Sequence, residues 1–279
     1  MNLTQYIEIL DRQPDLMPYH HPAPEITEFL KGKDQVALNK AVMAELINQF
    51  PARSEMIRQQ QGVRLTPEAV AMFKQDFDRI INEQATNAPG FYEFPLSPFG
   101  KDLGICSLRI MPAGAQIVDL HSGIGRNLLL QGGPGEFAAR ALFFIKQLGG
   151  FKPLYQIHTH STSYPEFNEA GWDRCYLRIA GMLRLNPQVR GFFGMSWFYD
   201  PALESISPRL GYLRHRPVVG GARLFRVGVS EEHIGNATAK SETRKKLFQE
   251  GKYQPTGYAM IWPRRELIAW ADQMRGSEK

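Results

Sequence analysis

The sequence is poor in cysteine: Cys106 and Cys175 are the only two among 279 residues. Two distant thiols make no disulfide framework, and a reducing cytoplasm is the expected compartment. No run of about 18 apolar residues occurs, so no membrane-spanning helix is expected. The opening MNLTQYIEILDRQPD carries acids, no basic leader and no long apolar stretch, so it does not read as a secretory signal. Zinc-finger spacing, an RNP-like aromatic pattern and a lysine-rich tail are all missing, and nucleic acid is not indicated by motif. Neither a Walker A motif nor a dinucleotide fingerprint is present. Ser196, in GMSWF, lacks the G-x-S-x-G elbow of a serine hydrolase. There is no internal repeat and no low-complexity tract.

What is present is an ordinary globular composition, 43% hydrophobic and 22% charged, in a chain long enough for one large or two modest domains. The charge is uneven. Residues 1–173 carry 15 Lys+Arg against 19 Asp+Glu, whereas residues 174–279 carry 18 against 9. The arginines at 209, 214, 216, 223, 226, 244, 264 and 265 dominate that excess. A basic surface attracts anions, and Arg214 with Arg216 has the donor geometry to clamp a phosphate or carboxylate.

The pattern divides the chain into a helical N-terminal region, residues 1–90, and an α/β domain, residues 91–279. PEITEFL and DQVALNKAVMAELINQF read as helices, the second stopping before Pro51. RLTPEAVAMFKQDFDRIINEQ has Thr66 as N-cap, Pro67 in the first turn and an apolar face through Val70, Phe73, Phe77, Ile80 and Ile81. Residues 87–102, rich in Pro, Gly and aromatics, read as an ordered connection. LGICSLRIM and AQIVDLHS then read as a hairpin around Pro112-Ala113-Gly114. EFAARALFFIKQLGG reads as a helix ended by Gly149. PLYQIHTH reads as a strand. Asn168 caps an expected helix of about residues 169–185, with Phe167 and Trp172 placed for a hydrophobic staple. VRGFFGMSWFY, ARLFRVGVS and TGYAMIWP are further strands, and SETRKKLFQEGK and RRELIAWADQM further helices. The expected fold is α+β or α/β, with a mixed, partly antiparallel sheet flanked by helices.

Gly123-Ile124-Gly125-Arg126-Asn127 follows the second strand of the hairpin. Glycines there let backbone amides approach an anion. GIGRNLL, inside the order hairpin, loop, helix, strand, helix, strand, resembles the pyrophosphate loop of the GNAT-superfamily acyltransferases over about residues 105–199. The resemblance implies a GNAT-like core that binds a coenzyme A thioester through residues 123–127. It also implies a tyrosine general acid for the leaving thiolate, and Tyr176 stands nearest the family's position.

The second constellation is IHTHSTSYPEFN. A strand sends alternate side chains to one face, so His158 and His160 are expected to project together. An imidazole that titrates near neutrality can serve as general base. Ser161, Ser163, Tyr164, Glu166 and Asn168 are the expected substrate contacts in the turn that follows. The same histidines, with His121 and the carboxylate of Asp173, also make a conceivable ligand set for zinc or iron. His20, His21 and His233 have no evident partners.

The expected function is therefore transfer of an acyl group from an acyl-coenzyme A or acyl-carrier thioester to an amine or hydroxyl of a small acceptor. His158 or His160 would be the base and Tyr176 the acid. The alternatives are a metal-dependent hydrolase or oxygenase built on His121, His158 and His160, and a non-catalytic anion-binding protein using the basic C-terminal third. The expected partners are a small-molecule substrate or a carrier protein.

Overall fold

In the computed structural model, residues 3–13 and 22–277 are described. His20 and His21 lie outside them. The chain forms two compact units. One comprises Met1–His121 with His158–Arg178, the other Ser122–Ile157 with Ile179–Lys279. The secondary structure is α+β. Six strands form one mixed sheet in the order β1-β2-β3-β4-β6-β5. They are β1 (Ile110–Pro112), β2 (Ile117–Ser122), β3 (Leu154–His158), β4 (Gly191–Ser196), β5 (Arg223–Gly228) and β6 (Gly257–Pro263). No helix among the described residues is long and apolar enough to cross a membrane.

The first unit begins with helices α1 (Leu3–Arg12), α2 (Pro24–Leu30), α3 (Gln35–Asn48), α4 (Phe50–Gln61) and α5 (Pro67–Glu83). Thr66 caps α5 as its sequence requires, accepting from the Ala69 amide at 3.1 Å. The face of α5 through Phe73, Phe77 and Ile80 is buried, and both phenylalanine rings pack on Phe50. Pro51 does not leave an open loop. It sits in the first turn of α4, where its missing N–H costs nothing.

Two expectations fail just before the sheet. Ser97–Cys106 is a helix, α6, where the sequence reads as an ordered connection through residue 102. Pro98 again occupies a first turn, so composition hid the helix. LGICSLRIM, expected as one strand, is cut in two. Leu103–Cys106 closes α6, Leu108 has a φ of 61°, and only Ile110–Pro112 is strand. Gly104 makes this reversal possible. A Cβ there would lie 2.3 Å from Ile110 Cδ1, so helix and strand can touch only without one. The hairpin itself forms as expected, β1 antiparallel to β2 with Ile110 opposite Asp119.

In the second unit α7 (Pro134–Leu142) continues as a π-helical segment, Phe143–Leu148, and ends at Gly149 with a φ of 78°. β3 pairs parallel to β4, and β4 and β5 each pair antiparallel to β6. Phe143, Phe144, Leu154, Phe193 and Ile261 form the core there. The crossover helix α8 (Glu169–Leu185) covers the expected residues. Asn168 Oδ1 accepts from the Gly171 amide at 3.0 Å, and the Phe167 and Trp172 rings meet at 5.6 Å. The remaining helices are α9 (Leu203–Ile206), α10 (Tyr212–Val219), α11 (Glu231–Thr238), α12 (Glu242–Gln249) and α13 (Arg264–Ser277).

Candidate functional site

His158 is the last residue of β3, and His160 lies two residues on, in extended backbone. A helical turn, Ser161–Glu166, follows and leads into α8. Close packing fixes that turn. A Cβ on Gly171 would lie 1.9 Å from the Glu166 carbonyl oxygen, so the first turn of α8 presses directly on the loop. Glu166 is held from the side by Arg174 at 3.4 Å and Arg178 at 3.6 Å. Arg178 also binds Glu68 at 2.8 Å and the Ala113 carbonyl at 3.0 Å.

Beneath the turn lies a buried charge cluster assembled from α5 and α6. The Arg79 guanidinium binds Asp102 in bidentate fashion, at 2.6 and 3.4 Å. It also holds Asp76 at 2.7 Å and Glu83 at 2.8 Å. One cation thus faces three carboxylates. Burial pushes the Asp102 and Asp76 carboxyls above their ordinary range despite Arg79. For Arg79, burial works downward, but the hydrogen bond and charge of Asp102 outweigh it and the net direction is up. Lys101, beside Asp102, donates to the Thr159 carbonyl at 2.8 Å, between the two histidines. Burial lowers its pKa, with Asp102 opposing.

Both imidazoles are neutral at physiological pH. Burial first, and the Lys101 charge second, take His158 down to about 3. Burial, then the Arg79 and Lys101 charges, take His160 down to about 4. His160 Nε2 lies 3.6 Å from Asp102 Oδ1. Because the imidazole is neutral and Asp102 is already bound to Arg79, this contact is not an ion pair. The tautomer of His160 follows from its other edge. The Thr162 amide donates to Nδ1 at 3.2 Å, so Nδ1 carries the lone pair and Nε2 the hydrogen. Nε2 is buried, and its 3.6 Å to Asp102 Oδ1 is beyond hydrogen-bond distance.

The other expected site residues have the following places. Ser161 and Tyr164 are exposed on the turn, and Ser163 is buried under it. Asn168 is engaged as the cap of α8, and Glu166 by its arginines. Tyr176 is 1% exposed on the inner face of α8, 5.5 Å from the Trp172 ring. That environment suits a packing tyrosine better than a proton donor to a large leaving group. His121 is half-buried on β2, its amide bound to Asp119, and Asp173 is half-buried on α8. Among the described residues no three His, Cys, Asp or Glu side chains are gathered to hold a metal ion, and these four make no such group. Cys175 is fully buried with its thiol pushed up to about 12, and burial raises Cys106 as well.

In the second unit, Arg126–Leu129 is a short 3-10 turn rather than the start of a long helix. The exposed residues Gly125, Arg126 and Asn127 open it, and the first amides of such a turn have no acceptor within it. Ile124 differs: it is buried, and its amide is used by the Phe151 carbonyl at 3.0 Å. Gly123 is small because the Lys152 stem would meet a Cβ there at 2.2 Å. Arg214 is ion-paired with Glu204.

Asp76, Arg79, Glu83, Lys101 and Asp102 were not anticipated. One sequence signal pointed to them: Asp76, Arg79 and Glu83 recur at helical spacing and so share one face of α5. Comparison with family models, curated proteins and solved structures finds no match to this chain.

Proposed function

We propose that the protein is an acyltransferase that moves an acyl group from a coenzyme A or carrier-protein thioester to an amine or hydroxyl of a small acceptor. The observation that carries this reading is the pair of neutral imidazoles, His158 and His160, at the end of β3 beside an exposed hydroxyl-rich turn. Aminolysis or alcoholysis of a thioester needs a base that is unprotonated at neutral pH to take the acceptor's proton. Both imidazoles keep a free lone pair at neutral pH, and the same burial and cations that ensure this also lower their basicity. The order hairpin, loop, helix, strand, helix, strand supports the likeness to a GNAT core, as does a partly antiparallel sheet. In this reading residues 123–127 take the pyrophosphate, since a 3-10 turn opened by exposed amides suits an anion. Tyr176 is left as a packing residue.

The test is thiol release from acyl-coenzyme A and acyl-carrier thioesters against a panel of amines and alcohols. The wild-type protein is expected to consume thioester only when acceptor is present or faster when it is. His158→Ala is expected to slow turnover about 10²-fold or more with coenzyme A affinity unchanged. Arg126→Ala is expected to weaken coenzyme A binding instead. Absence of both thioester binding and thioester consumption would contradict the proposal. So would near-stoichiometric zinc or iron that is lost in His158→Ala.

A further inference from the structure

The turn places a hydroxyl against the buried histidine. Thr162 Oγ1 lies 2.6 Å from His160 Nδ1. Since Nδ1 bears the lone pair, Thr162 is the donor in that contact. On the far edge of the ring, Nε2 lies 3.6 Å from Asp102 Oδ1, beyond hydrogen-bond distance, and Arg79 binds that same oxygen at 2.6 Å and Oδ2 at 3.4 Å. Thr162 itself is exposed, whereas the side chains of His160 and Asp102 are each 2% exposed. An accessible hydroxyl is thus backed by a buried base, and the base by a buried, immobilised carboxylate. This is the arrangement that activates a hydroxyl nucleophile, here with the two ring nitrogens exchanged relative to the usual serine case. All three residues belong to the first unit.

We infer that Thr162 is a nucleophile and that acyl transfer passes through an acyl-Thr162 ester, an inference that rests on the acyltransferase reading. Thr162 Oγ1 attacks the thioester carbonyl carbon while His160 Nδ1 takes the hydroxyl proton. The carbon–sulfur bond breaks, and the thiolate leaves with the proton returned from His160. The acceptor amine or hydroxyl then attacks the ester carbonyl, its proton passing to His160. The carbon–oxygen bond to Thr162 breaks and Oγ1 regains that proton. No oxidant, reductant or further reactant is needed. Asp102 is a positioning residue: its carboxylate, 3.6 Å from Nε2, offsets part of the cost of the imidazolium formed in each half-reaction. Lys101, bound to the Thr159 carbonyl, secures the backbone between the two histidines.

The experiment has two arms, both on the full chain. In the first, the protein is incubated with acetyl-coenzyme A without acceptor, and intact mass and peptide mapping locate any acetyl group. A single acetyl on Thr162 is expected in the wild type, retained in Thr162→Ser and absent in Thr162→Ala. Thr162 is exposed, so these variants are expected to melt with the wild type. In the second arm the hydroxyl is probed directly with a fluorophosphonate. Labelling at Thr162 is expected to fall at least about 10²-fold in His160→Gln. Asp102→Asn is expected to lower the labelling maximum and move its pH midpoint downward, which a purely structural role would not do.

Acceptor acylation by Thr162→Ala at the wild-type rate would overturn the covalent route while leaving acyl transfer in place. Absence of thioester consumption with Thr162 still labelled by fluorophosphonate, and dependent on His160, would overturn the donor class and keep the nucleophile. No label on Thr162 in either arm would overturn the inference.

Discussion

Two arginines, Arg79 in the first unit and Arg244 in the second, are satisfied in opposite ways, although each unit also holds a buried arginine of the other kind, Arg109 on backbone carbonyls and Arg140 on Glu136. The first unit carries 13 Lys+Arg against 18 Asp+Glu, the second 20 against 10. In the first, the half-buried Arg79 is surrounded by Asp76, Glu83 and Asp102, and Arg53 binds Asp11 at 2.5 Å. In the second, Arg244 is 5% exposed and has no carboxylate partner among the described residues. Its Nε donates to the Ala237 carbonyl at 2.6 Å and its Nη1 to Ser207 Oγ at 3.0 Å. The Trp197 ring stands 4.7 Å from the guanidinium. Burial lowers the Arg244 pKa, whereas the carboxylates raise that of Arg79. A carboxylate cage over-supplies negative charge. Around His160 that charge only partly opposes burial and the Arg79 and Lys101 cations, which keep the imidazole neutral. Carbonyl and hydroxyl acceptors satisfy an arginine without creating such a reserve. The two histidines and the Arg79 cluster lie in the acidic unit, although the basic one carries the more conspicuous charge.

The sharpest way to break this contrast is to remove the arginine from each unit. Arg79→Met strands Asp76 and Asp102, and about 3–5 kcal/mol is the expected loss. Arg244→Met loses two hydrogen bonds to neutral acceptors, and about 1–3 kcal/mol is expected. Urea denaturation of the two variants reads the difference directly, and equal losses would erase the distinction.

The next test is pH. His160 has a folded-state pKa of about 4 against an ordinary 6.5. The unfolded chain therefore binds its proton first as pH falls, and stability declines from about pH 6.5 downward. Between pH 7 and pH 5 this amounts to about 2 kcal/mol for His160. His158 acts in the same direction. Asp76 and Asp102, whose folded pKa values are raised, act oppositely: they favour the folded state as pH falls through the range just above the ordinary carboxylate value. Denaturation of His160→Leu at the two pH values is expected to show a shallower slope than the wild type. An unchanged slope would mean that His160 is not held neutral.

The smallest effects are expected to be alike in the two units. Thr66 caps α5, and Ser230 caps α11 by accepting from the His233 amide at 3.2 Å. Thr66→Ala and Ser230→Ala should each cost about 1 kcal/mol. A large disparity between them would show that the units differ in more than their buried charge.

The elements with local signals were legible in the sequence. Thr66-Pro67 opens α5 and Asn168 opens α8, because a cap is made by residues three apart and needs no tertiary knowledge. The strands of IHTH and TGYAMIWP were read from apolar runs, and both histidines were singled out. α6 was missed because Pro98 and Gly100 look like loop residues and its last turn, Leu103–Cys106, was read into a strand. In fact the proline fills a first turn and Gly104 yields space to Ile110. The partners of His160 were missed for a different reason. Asp102 and Arg79 come from helices 58 and 81 positions away in the sequence, and only packing brings them to the imidazole. Thr162 lies in the same turn as the expected substrate contacts Ser161, Ser163 and Tyr164. Its bond to Nδ1 depends on the backbone leaving the strand at Thr159, which no periodicity reveals.

The most direct measurement is the titration of the histidine Cε1–H resonances by NMR, assigned with His158→Gln and His160→Gln. The account predicts that neither His158 nor His160 titrates between pH 8 and about pH 5, because their pKa values lie at about 3 and about 4. A midpoint near the ordinary 6.5 for either imidazole would contradict it. The histidine would then not be held neutral by burial and the neighbouring cations.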